Sequence, residues 1–374
     1  MTMIMNEADV IDRIFAHMDA KTTDAGERVW REPVENYRSI ERFNAEIELL
    51  RRLPVPFCPS AALPEAGSFI ARTAAQTPIV AVRGDDGVVR AFRNACRHRG
   101  MAVASGSGCA RAFVCPYHAW TYGLDGNLKH IPGREGFPDI DMKAHGLVPV
   151  TAEERGGLVF ITQETPVSNG ALDAMPEILS PLQDMFATDE YSDAANWKLI
   201  AETSMEGYHI KSLHNRSFYP YGLDNTNIVE ISGLNSRIIF PFRRINKLRD
   251  IPREKRRMNG TTADVYLLFP NANVAVLSNH TQLTIMEPIS PSETHSIVYR
   301  VRNLDAHGEP VDLEAAKRDA LFVKDFGIEE DREAARTIQA GISSKANSHF
   351  TFGHYEKAIV HFHQNLTGQL EKRS

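Results

Sequence analysis

Apolar residues repeat with helical spacing near the start of the chain and in short, interrupted runs after it. In the first 45 residues, one group of apolar positions falls on one side of a helix: Ile11, Ile14, Phe15 and Met18. This spacing predicts one amphipathic helix in an otherwise polar lead-in. From residue 55 to about residue 163, short apolar runs are separated by Gly, Pro and Asp. That texture is typical of an all-β domain with tight hairpins.

The pattern changes again beyond a polar stretch at 165–174, which we interpret as a linker. Helical spacing covers 195–213 and 313–342. Strand-like apolar runs lie between these helices, at 265–269, 273–277, 283–286 and 297–301. This layout predicts an antiparallel sheet flanked by helices that come before and after it. We therefore expect a helical lead-in over 1–45, an all-β domain over 46–165 and an α+β domain over 172–374.

Composition and charge exclude several classes of protein. The net charge of −6 and the isoelectric point of about 6.2 argue against a nucleic-acid partner. No apolar stretch approaches the length of a membrane span, and early acidic residues argue against a signal peptide. Four cysteines are too few for a disulfide scaffold. We expect a cytoplasmic protein with reduced thiols, in which Cys58 and Cys109 are small buried side chains.

Two short Cys–His pairs can bring four metal ligands to one point. One residue separates Cys96 from His98, and two residues separate Cys115 from His118. Zinc accepts such a set of two thiolates and two imidazoles. A Rieske [2Fe–2S] cluster instead takes both cysteines on one iron and both histidines on the other. The ligand count alone leaves both metals open.

A second group of polar residues occupies 196–214. On a continuous helix, Glu202, Glu206 and His209 would lie on one face, which is unusual for a buried face. His214 follows His209 by five residues, about 140° around an ideal helix. Both histidines can therefore bind one metal only if the helix distorts or ends between them, and π-type bulges of that kind often mark functional sites.

These motifs resemble those of the Rieske non-haem iron oxygenases. The strings NACRHRGMAV and FVCPYHAWTY are similar to the pattern Cys-x-His-Arg-Gly…Cys-x-x-His-x-Trp of that family. The run from Trp197 to His214 resembles the family's mononuclear iron motif, although many members have Asn where Thr203 stands. The string EEDREAARTIQAGI resembles the pattern Glu-Asp-x₇-Gln-x-Gly, which makes Asp331 the third iron ligand. The alternatives for that ligand are the neighbouring acids Asp325, Glu329 and Glu330.

The resemblance implies the catalytic alpha subunit of an aromatic ring-hydroxylating oxygenase. Its fold would be α+β, with an all-β Rieske domain followed by a helix-grip catalytic domain of the START-like (SRPBCC) type that contains an antiparallel sheet. Electrons would come from NAD(P)H through a separate flavin or iron–sulfur reductase or a ferredoxin, and would pass from the [2Fe–2S] cluster to Fe(II). The family forms trimers, with or without beta subunits. Glu206 would bridge the two centres by hydrogen bonds to His209 and to His118 of the next subunit.

Aromatic and basic residues at 217–245 suggest the substrate. Phe240 and Phe242 could line an apolar pocket in which Arg243 pairs with a carboxylate. This favours hydroxylation of an aromatic, carboxylate-bearing substrate by O₂. The alternative is demethylation of a quaternary ammonium or methoxy compound, since aromatic side chains also attract cations and relatives of similar design demethylate betaines and carnitine. Two further alternatives are an electron-transfer protein and a zinc-stabilised binding module.

Overall fold

A computed structural model describes residues 5–166, 172, 175–305 and 307–372, with the backbone alone at residue 326. The chain forms two compact units, one of residues 50–184 and one that combines residues 1–49 with residues 185–374. The linker predicted at 165–174 lies largely outside the described residues. The lead-in expected over 1–45 belongs to the same unit as the C-terminal half of the chain.

Both units contain several β-strands. Those of the first half of the chain are β1 (Trp30–Pro33), β2 (Val55–Pro59), β3 (Ser68–Ala74), β4 (Thr77–Arg83), β5 (Val89–Arg93), β6 (Gly106–Cys109), β7 (Phe113–Val114), β8 (Thr121–Tyr122), β9 (Leu128–His130), β10 (Pro149–Arg155) and β11 (Leu158–Thr162). Those of the second half are β12 (Met185–Asp193), β13 (Ile228–Ser232), β14 (Asn235–Pro241), β15 (Thr262–Leu268), β16 (Ala272–Val276), β17 (His280–Ser290), β18 (Glu293–Arg302) and β19 (His349–Phe352).

Helices are concentrated at the two ends of the chain. The α-helices are α1 (Glu7–Ala20), α2 (Ile40–Arg52), α3 (Trp197–Thr203), α4 (Ile210–Leu213), α5 (Leu313–Phe322), α6 (Glu329–Ile342) and α7 (Lys357–Glu371). A π-helical segment, Val323–Ile328, joins α5 to α6. Short 3-10 turns occur at Val34–Tyr37, Ser60–Ala62, Arg134–Gly136, Arg243–Asp250, Arg253–Lys255 and His354–Glu356.

The unit of residues 50–184 is built from antiparallel strands, which confirms the predicted all-β domain. One sheet has the strand order β2-β11-β10-β5-β4-β3-β6, and a smaller sheet has the order β7-β8-β9. The turn at 125–127 requires glycine, because Gly126 has φ +79° and a Cβ there would lie 2.3 Å from the ring of Phe92. Cys58 is buried as expected, but the expectation for Cys109 was wrong. Cys109 lies on the edge strand β6, whose four residues are exposed.

A seven-stranded antiparallel sheet dominates the other unit, with the order β12-β18-β17-β16-β15-β14-β13. The four strands predicted from the apolar runs are β15 to β18, so the antiparallel sheet is confirmed. Consecutive strands pair from β13 to β18. Short connections favour such antiparallel neighbours, and the one long connection, between β14 and β15, contains the turns Arg243–Asp250 and Arg253–Lys255. The helical segment from α5 to α6 contacts β17, β18 and α3, and α7 contacts β13 and β14.

The amphipathic helix predicted in the lead-in is α1. Val10, Ile11 and Ile14 are fully buried against apolar residues of the sheet and of the 243–250 turn: Ile228, Ile239 and Ile245. Burying each of these side chains contributes about 1.5–3 kcal/mol, which explains why the first residues join this unit. Helix α2 is anchored by Glu46, which accepts hydrogen bonds from Trp197 Nε1 at 3.0 Å and from Lys198 Nζ at 2.8 Å.

The two long helices predicted from periodicity, at 195–213 and 313–342, are not continuous. The first ends at Thr203 and resumes only at Ile210, and the second is interrupted by the π-helical segment. A glycine allows a close approach at this segment, because a Cβ on Gly327 would lie 2.0 Å from the ring of Phe218. Local periodicity cannot detect this constraint, since it arises from a residue more than 100 positions away.

Candidate metal centres and active-site cavity

The two Cys–His pairs meet in the unit of residues 50–184. The Nδ1 atoms of His98 and His118 lie 3.1 Å apart, so both imidazoles can reach one metal atom. Cys96 and Cys115 are both buried in the same apolar cluster and carry free thiols. Gly100, with φ +79°, supplies the turn after the first pair, and its N–H donates to the carbonyl of Cys96.

Aromatic residues surround this group. Trp120 is buried and stacks on His98, with ring centroids 5.0 Å apart. The Tyr122 hydroxyl lies 3.2 Å from Cys96 Sγ, and burial together with this contact raises the pKa of Tyr122. Tyr117 packs against His118 but is largely exposed. The sulfur side of the group is therefore dry, and the histidine side faces the surface.

The helix break at 204–209 follows from the side chain of Glu206. Its carboxylate accepts hydrogen bonds from the backbone N–H groups of Tyr208 and His209 and from His209 Nδ1. A carboxylate that accepts hydrogen bonds from the backbone N–H groups of the next few residues competes with the hydrogen bonds of a helix, as Asp and Asn do in turns. Gly207 packs so closely on Asn227 that a Cβ would lie 2.3 Å from its amide nitrogen.

The single helical face predicted for Glu202, Glu206 and His209 was therefore wrong. Glu202 remains on α3 and is buried, where it accepts hydrogen bonds from the Tyr37 hydroxyl at 2.6 Å and His363 Nε2 at 2.8 Å. Burial and the nearby Glu202 raise the pKa of Tyr37. This network belongs to the protein interior, whereas Glu206 lies beside His209.

Two neighbouring histidines and an aspartate that is distant in sequence form a compact donor set. The potential ligand atoms of His209, His214 and Asp331 all lie within 4.8 Å of one another. Asp331 Oδ1 is 3.0 Å from His214 Nε2 and 3.5 Å from His209 Nε2. His209 and His214 flank the single helical turn α4, as its N-cap and C-cap residues, and the first turn of α6 carries Asp331.

Electrostatics in this donor set favour a cation. Burial alone would lower the pKa of His209, but hydrogen bonds with Asp331 and Glu206 raise it to about 10. Burial alone would raise the pKa of Asp331, but hydrogen bonds with both histidines lower it. A divalent cation can replace the protons that this arrangement attracts, because the same carboxylate and imidazole atoms then act as ligands.

Glu330 has a role that the sequence did not indicate. It was an alternative to Asp331 as the ligand, but its Oε2 lies 2.6 Å from His214 Nδ1 and 2.6 Å from Ser217 Oγ. Carboxylates therefore hold the Nδ1 atoms of both histidines: Glu206 for His209 and Glu330 for His214. This contact orients each ring and leaves Nε2 available for a metal. The family pattern had singled out Asp331, but nothing in the acidic run 329–331 indicated the contact between Glu330 and His214.

A cavity of about 720 Å³ opens onto the donor set. One wall is the sheet, through residues of β14 to β18 such as Phe240, Asn273 and Val298, and the facing wall includes the helical segment from Asp319 to Arg332. The volume lies in the range that accommodates small-molecule ligands.

All three residues expected at the substrate pocket line this cavity: Phe240, Phe242 and Arg243. Arg243, however, donates to the backbone carbonyls of Tyr219 and Pro220, so much of its guanidinium is engaged. Thr203 also lines the cavity, and its hydroxyl donates to the carbonyl of Ile200 at 2.9 Å. Phe218 and Tyr221, from the aromatic run expected to line the pocket, also line the cavity. Phe322 of α5 was not predicted, and it forms tilted and edge ring contacts with these two residues.

The residues present fit both metal groups that the motifs suggested. Two thiols and two imidazoles fit a Rieske cluster, and two histidines with one aspartate fit a non-haem Fe(II) site with open positions. Fold and donor sets together define the class of Rieske-type non-haem iron oxygenases. Residues 54–144 match the Rieske [2Fe-2S] domain, and residues 185–372 match the ring hydroxylating alpha subunit (catalytic domain). The chain belongs to this family of oxygenase alpha subunits, which rejects the zinc-stabilised module and the simple electron-transfer protein.

Curated relatives share parts of the sequence. The glycine betaine monooxygenase oxygenase subunit of Chromohalobacter salexigens is 36% identical over 159 residues, which cover 41% of this chain and 36% of the relative. The carnitine monooxygenase oxygenase subunit of Escherichia coli is 34% identical over 199 residues, covering 50% and 53%. The anthranilate 1,2-dioxygenase large subunit of Burkholderia cepacia is 31% identical over 209 residues, covering 50% and 44%. The chain spans about half the length, or less, of these relatives.

Solved structures share the fold over nearly the whole chain. The quaternary ammonium Rieske monooxygenase CntA in complex with L-carnitine has a TM-score of 0.77 at 22% identity, covering 98% of this chain and 99% of that one. Naphthalene 1,2-dioxygenase from Rhodococcus sp. has a TM-score of 0.74 at 17% identity, covering 98% of each chain. Within the described residues, no helix combines the length and apolar character that crossing a membrane requires.

Proposed function

We propose that this chain is the oxygenase component of an enzyme that removes a methyl group from a quaternary ammonium substrate. The observation that carries this proposal is an aromatic cavity opening directly onto His209, His214 and Asp331. Hydroxylation of an N-methyl carbon consumes O₂, two electrons and two protons and releases water. The hydroxymethyl group then loses its hydroxyl proton and leaves as formaldehyde, and the nitrogen keeps the electron pair of the broken C–N bond as a tertiary amine.

His209, His214 and Asp331 would hold the mononuclear iron, and Cys96, His98, Cys115 and His118 would hold the [2Fe–2S] cluster. When bound, the cluster supplies electrons one at a time and the Fe(II) supplies open positions for O₂. Glu206 and Glu330 keep the rings of the two histidines turned toward Asp331 by accepting from their Nδ1–H groups. The aromatic wall excludes water from the reacting methyl group.

The aromatic residues favour a cationic substrate. Phe218 lies 4.9 Å from His214, Phe322 lies 6.0 Å from Phe218, and Tyr221 lies 5.7 Å from Phe322, all measured between ring centroids. Such faces attract a quaternary ammonium group with about 0.5–2 kcal/mol per ring. Two of the relatives act on glycine betaine and carnitine. These observations support the demethylation alternative more than the ring hydroxylation that the sequence favoured.

Electron supply would need other protein chains. We propose that a flavin or iron–sulfur reductase, or a ferredoxin, delivers electrons from NAD(P)H to the cluster. In a homotrimer, Glu206 would connect His209 with His118 of the partner subunit. The four cysteines, all in the described part of the chain and all free, suit a reducing compartment such as the cytoplasm.

Substituting Glu206 tests the connection between the two centres. Glu206→Gln should retain both metals, because Gln still accepts from His209, but it should lose most turnover. Metal analysis and the optical spectrum of the cluster report retention, and oxygen consumption reports turnover. Unchanged turnover would exclude the bridging role.

A single turnover tests the reaction. The protein is reduced chemically, freed of reductant and exposed to O₂ with one pool of betaines, carnitine and methoxy-arenes or one pool of aromatic acids and hydrocarbons. Formaldehyde, with a product one methyl group smaller, is the expected result from a quaternary ammonium substrate. Oxygen added to an aromatic ring would overturn demethylation and establish ring hydroxylation, in line with the similarity to the anthranilate 1,2-dioxygenase large subunit.

A further inference from the structure

The cavity extends well beyond the part next to the metal donor set. Asp319 and Asp331 both line it, and they are twelve residues apart on the helical segment from α5 to α6. At about 1.5 Å per helical residue, their backbones lie roughly 15–18 Å apart along the segment. A betaine as small as glycine betaine would fill only the part of the cavity near the donor set. The distant end is thus available to a second functional group of a longer substrate.

An acid that contacts one histidine stands at this distant end. Asp319 uses a single oxygen, Oδ2, to accept from the Asn279 backbone N–H at 2.9 Å and from His280 Nδ1 at 2.9 Å. Among the residues that the structure describes, no lysine or arginine forms an ion pair with Asp319, and no hydrogen bond engages its other oxygen. A carboxylate in this position can accept from an ammonium group.

A base lines the same end and also lacks an acidic partner. Arg244 is exposed, donates through Nη2 to Ser278 Oγ at 2.9 Å and lies over the ring of Phe242. No carboxylate in the described ranges pairs with it. Since Ser278 and Asn279 are adjacent, the acid and the base are held by neighbouring residues of one loop, yet they form no ion pair with each other.

We propose that this end of the cavity binds an α-amino acid group, with Asp319 taking the ammonium and Arg244 taking the carboxylate. This inference rests on the proposed function, and together they define the substrate class. The substrate is a quaternary ammonium compound whose alkyl chain ends in an α-amino acid. Trimethylated lysine has this chemistry, since an alkyl chain separates its trimethylammonium group from its amino acid end.

The contacts of Asp319 also join α5 to the start of β17, so the test must separate charge from folding. Asp319→Asn removes the charge but keeps an oxygen that accepts from Asn279 and His280. Arg244→Gln changes an exposed residue, so it removes the charge and the contacts with Ser278 and Phe242 without opening a buried cavity. Glu314→Gln is the matched control, because Glu314 lies on the same helix and pairs with Lys317 at the surface.

Binding is measured by calorimetry on the metal-loaded protein with three probes. These are Nε-trimethyl-lysine, its analogue without the α-amino group, and pentyltrimethylammonium, which lacks both polar groups. The wild type should bind trimethyl-lysine about tenfold more tightly than the deamino analogue, as expected for a partly exposed charge-assisted bond. Asp319→Asn should reduce this affinity ratio to about one. Arg244→Gln should abolish the preference for the deamino analogue over pentyltrimethylammonium. Glu314→Gln should retain both ratios.

Two kinds of failure are distinguishable. If the probes bind and yield formaldehyde in a single turnover, but Asp319→Asn and Arg244→Gln leave both ratios unchanged, the amino acid site is wrong and the proposed demethylation stands. If no probe binds and none yields formaldehyde, both the site and the proposed demethylation are overturned.

Discussion

Substitution of Glu330 tests how the mononuclear site is oriented. His214 is 1% exposed, and its Nδ1–H donates to Glu330 Oε2 at 2.6 Å. Glu330→Ala leaves this buried donor without its carboxylate, whereas Glu330→Gln keeps an acceptor and removes only the charge. Loss of such a partner typically lowers metal affinity 10- to 100-fold. We expect about tenfold for Gln and about 100-fold for Ala, or roughly 1.4 and 2.7 kcal/mol.

Iron affinity is measured anaerobically by competition with a coloured chelator. The optical spectrum of the [2Fe–2S] cluster serves as an internal reference, because that cluster belongs to the other unit and should not respond. The matched control is Glu329→Gln, which removes a neighbouring charge that pairs with Arg332 and Arg336 at the surface. Wild-type affinity in Glu330→Ala, or a larger loss in Glu329→Gln, would refute this assignment of roles within the acidic run.

Two further predictions concern stability. In Gly327→Ala the new Cβ would lie 2.0 Å from the Phe218 ring. The resulting overpacking should lower the free energy of unfolding by about 1–3 kcal/mol and Tm by several degrees. An unchanged Tm in a thermal scan would contradict the close approach. Burial raises the pKa of Asp264 to about 6, although Arg237 opposes the shift. The unfolded carboxyl ionises near pH 4, so the stability that Asp264 contributes is complete below about pH 4 and is lost as the pH rises through about 6. Asp264→Asn should therefore gain up to about 3 kcal/mol over the wild type between about pH 4 and pH 8, and an equal Tm difference at both pH values would refute this.

Motifs with short internal spacing were readable from the sequence alone. Cys96 with His98 and Cys115 with His118 lie within three residues of each other, so one hairpin tip can present each pair. The strands β15 to β18 were also readable as short apolar runs, and β17 and β18 are buried along most of their length. Periodicity likewise located α1 through Ile11 and Ile14.

Longer-range features escaped the same reasoning. The apparent helical face of Glu202 and Glu206 did not form, because Glu206 bonds to backbone N–H groups and ends the helix, while Glu202 pairs with Tyr37 and His363. Cys109 is exposed because it lies on an edge strand, and pairing order is not encoded in local hydrophobicity.

The sequence by itself determined the ligand types, the order of the two domains and the class of chemistry, because short motifs and periodicity depend only on neighbouring residues. Only the tertiary structure showed which side chains the acids of the run 329–331 contact. Asp331 turns toward both histidines and Glu330 toward the far side of one ring because α6 meets α4 in one orientation. Folding also brought Asp319 and Arg244 to one end of a cavity, since residues more than 70 positions apart become neighbours only when the sheet and its helices pack.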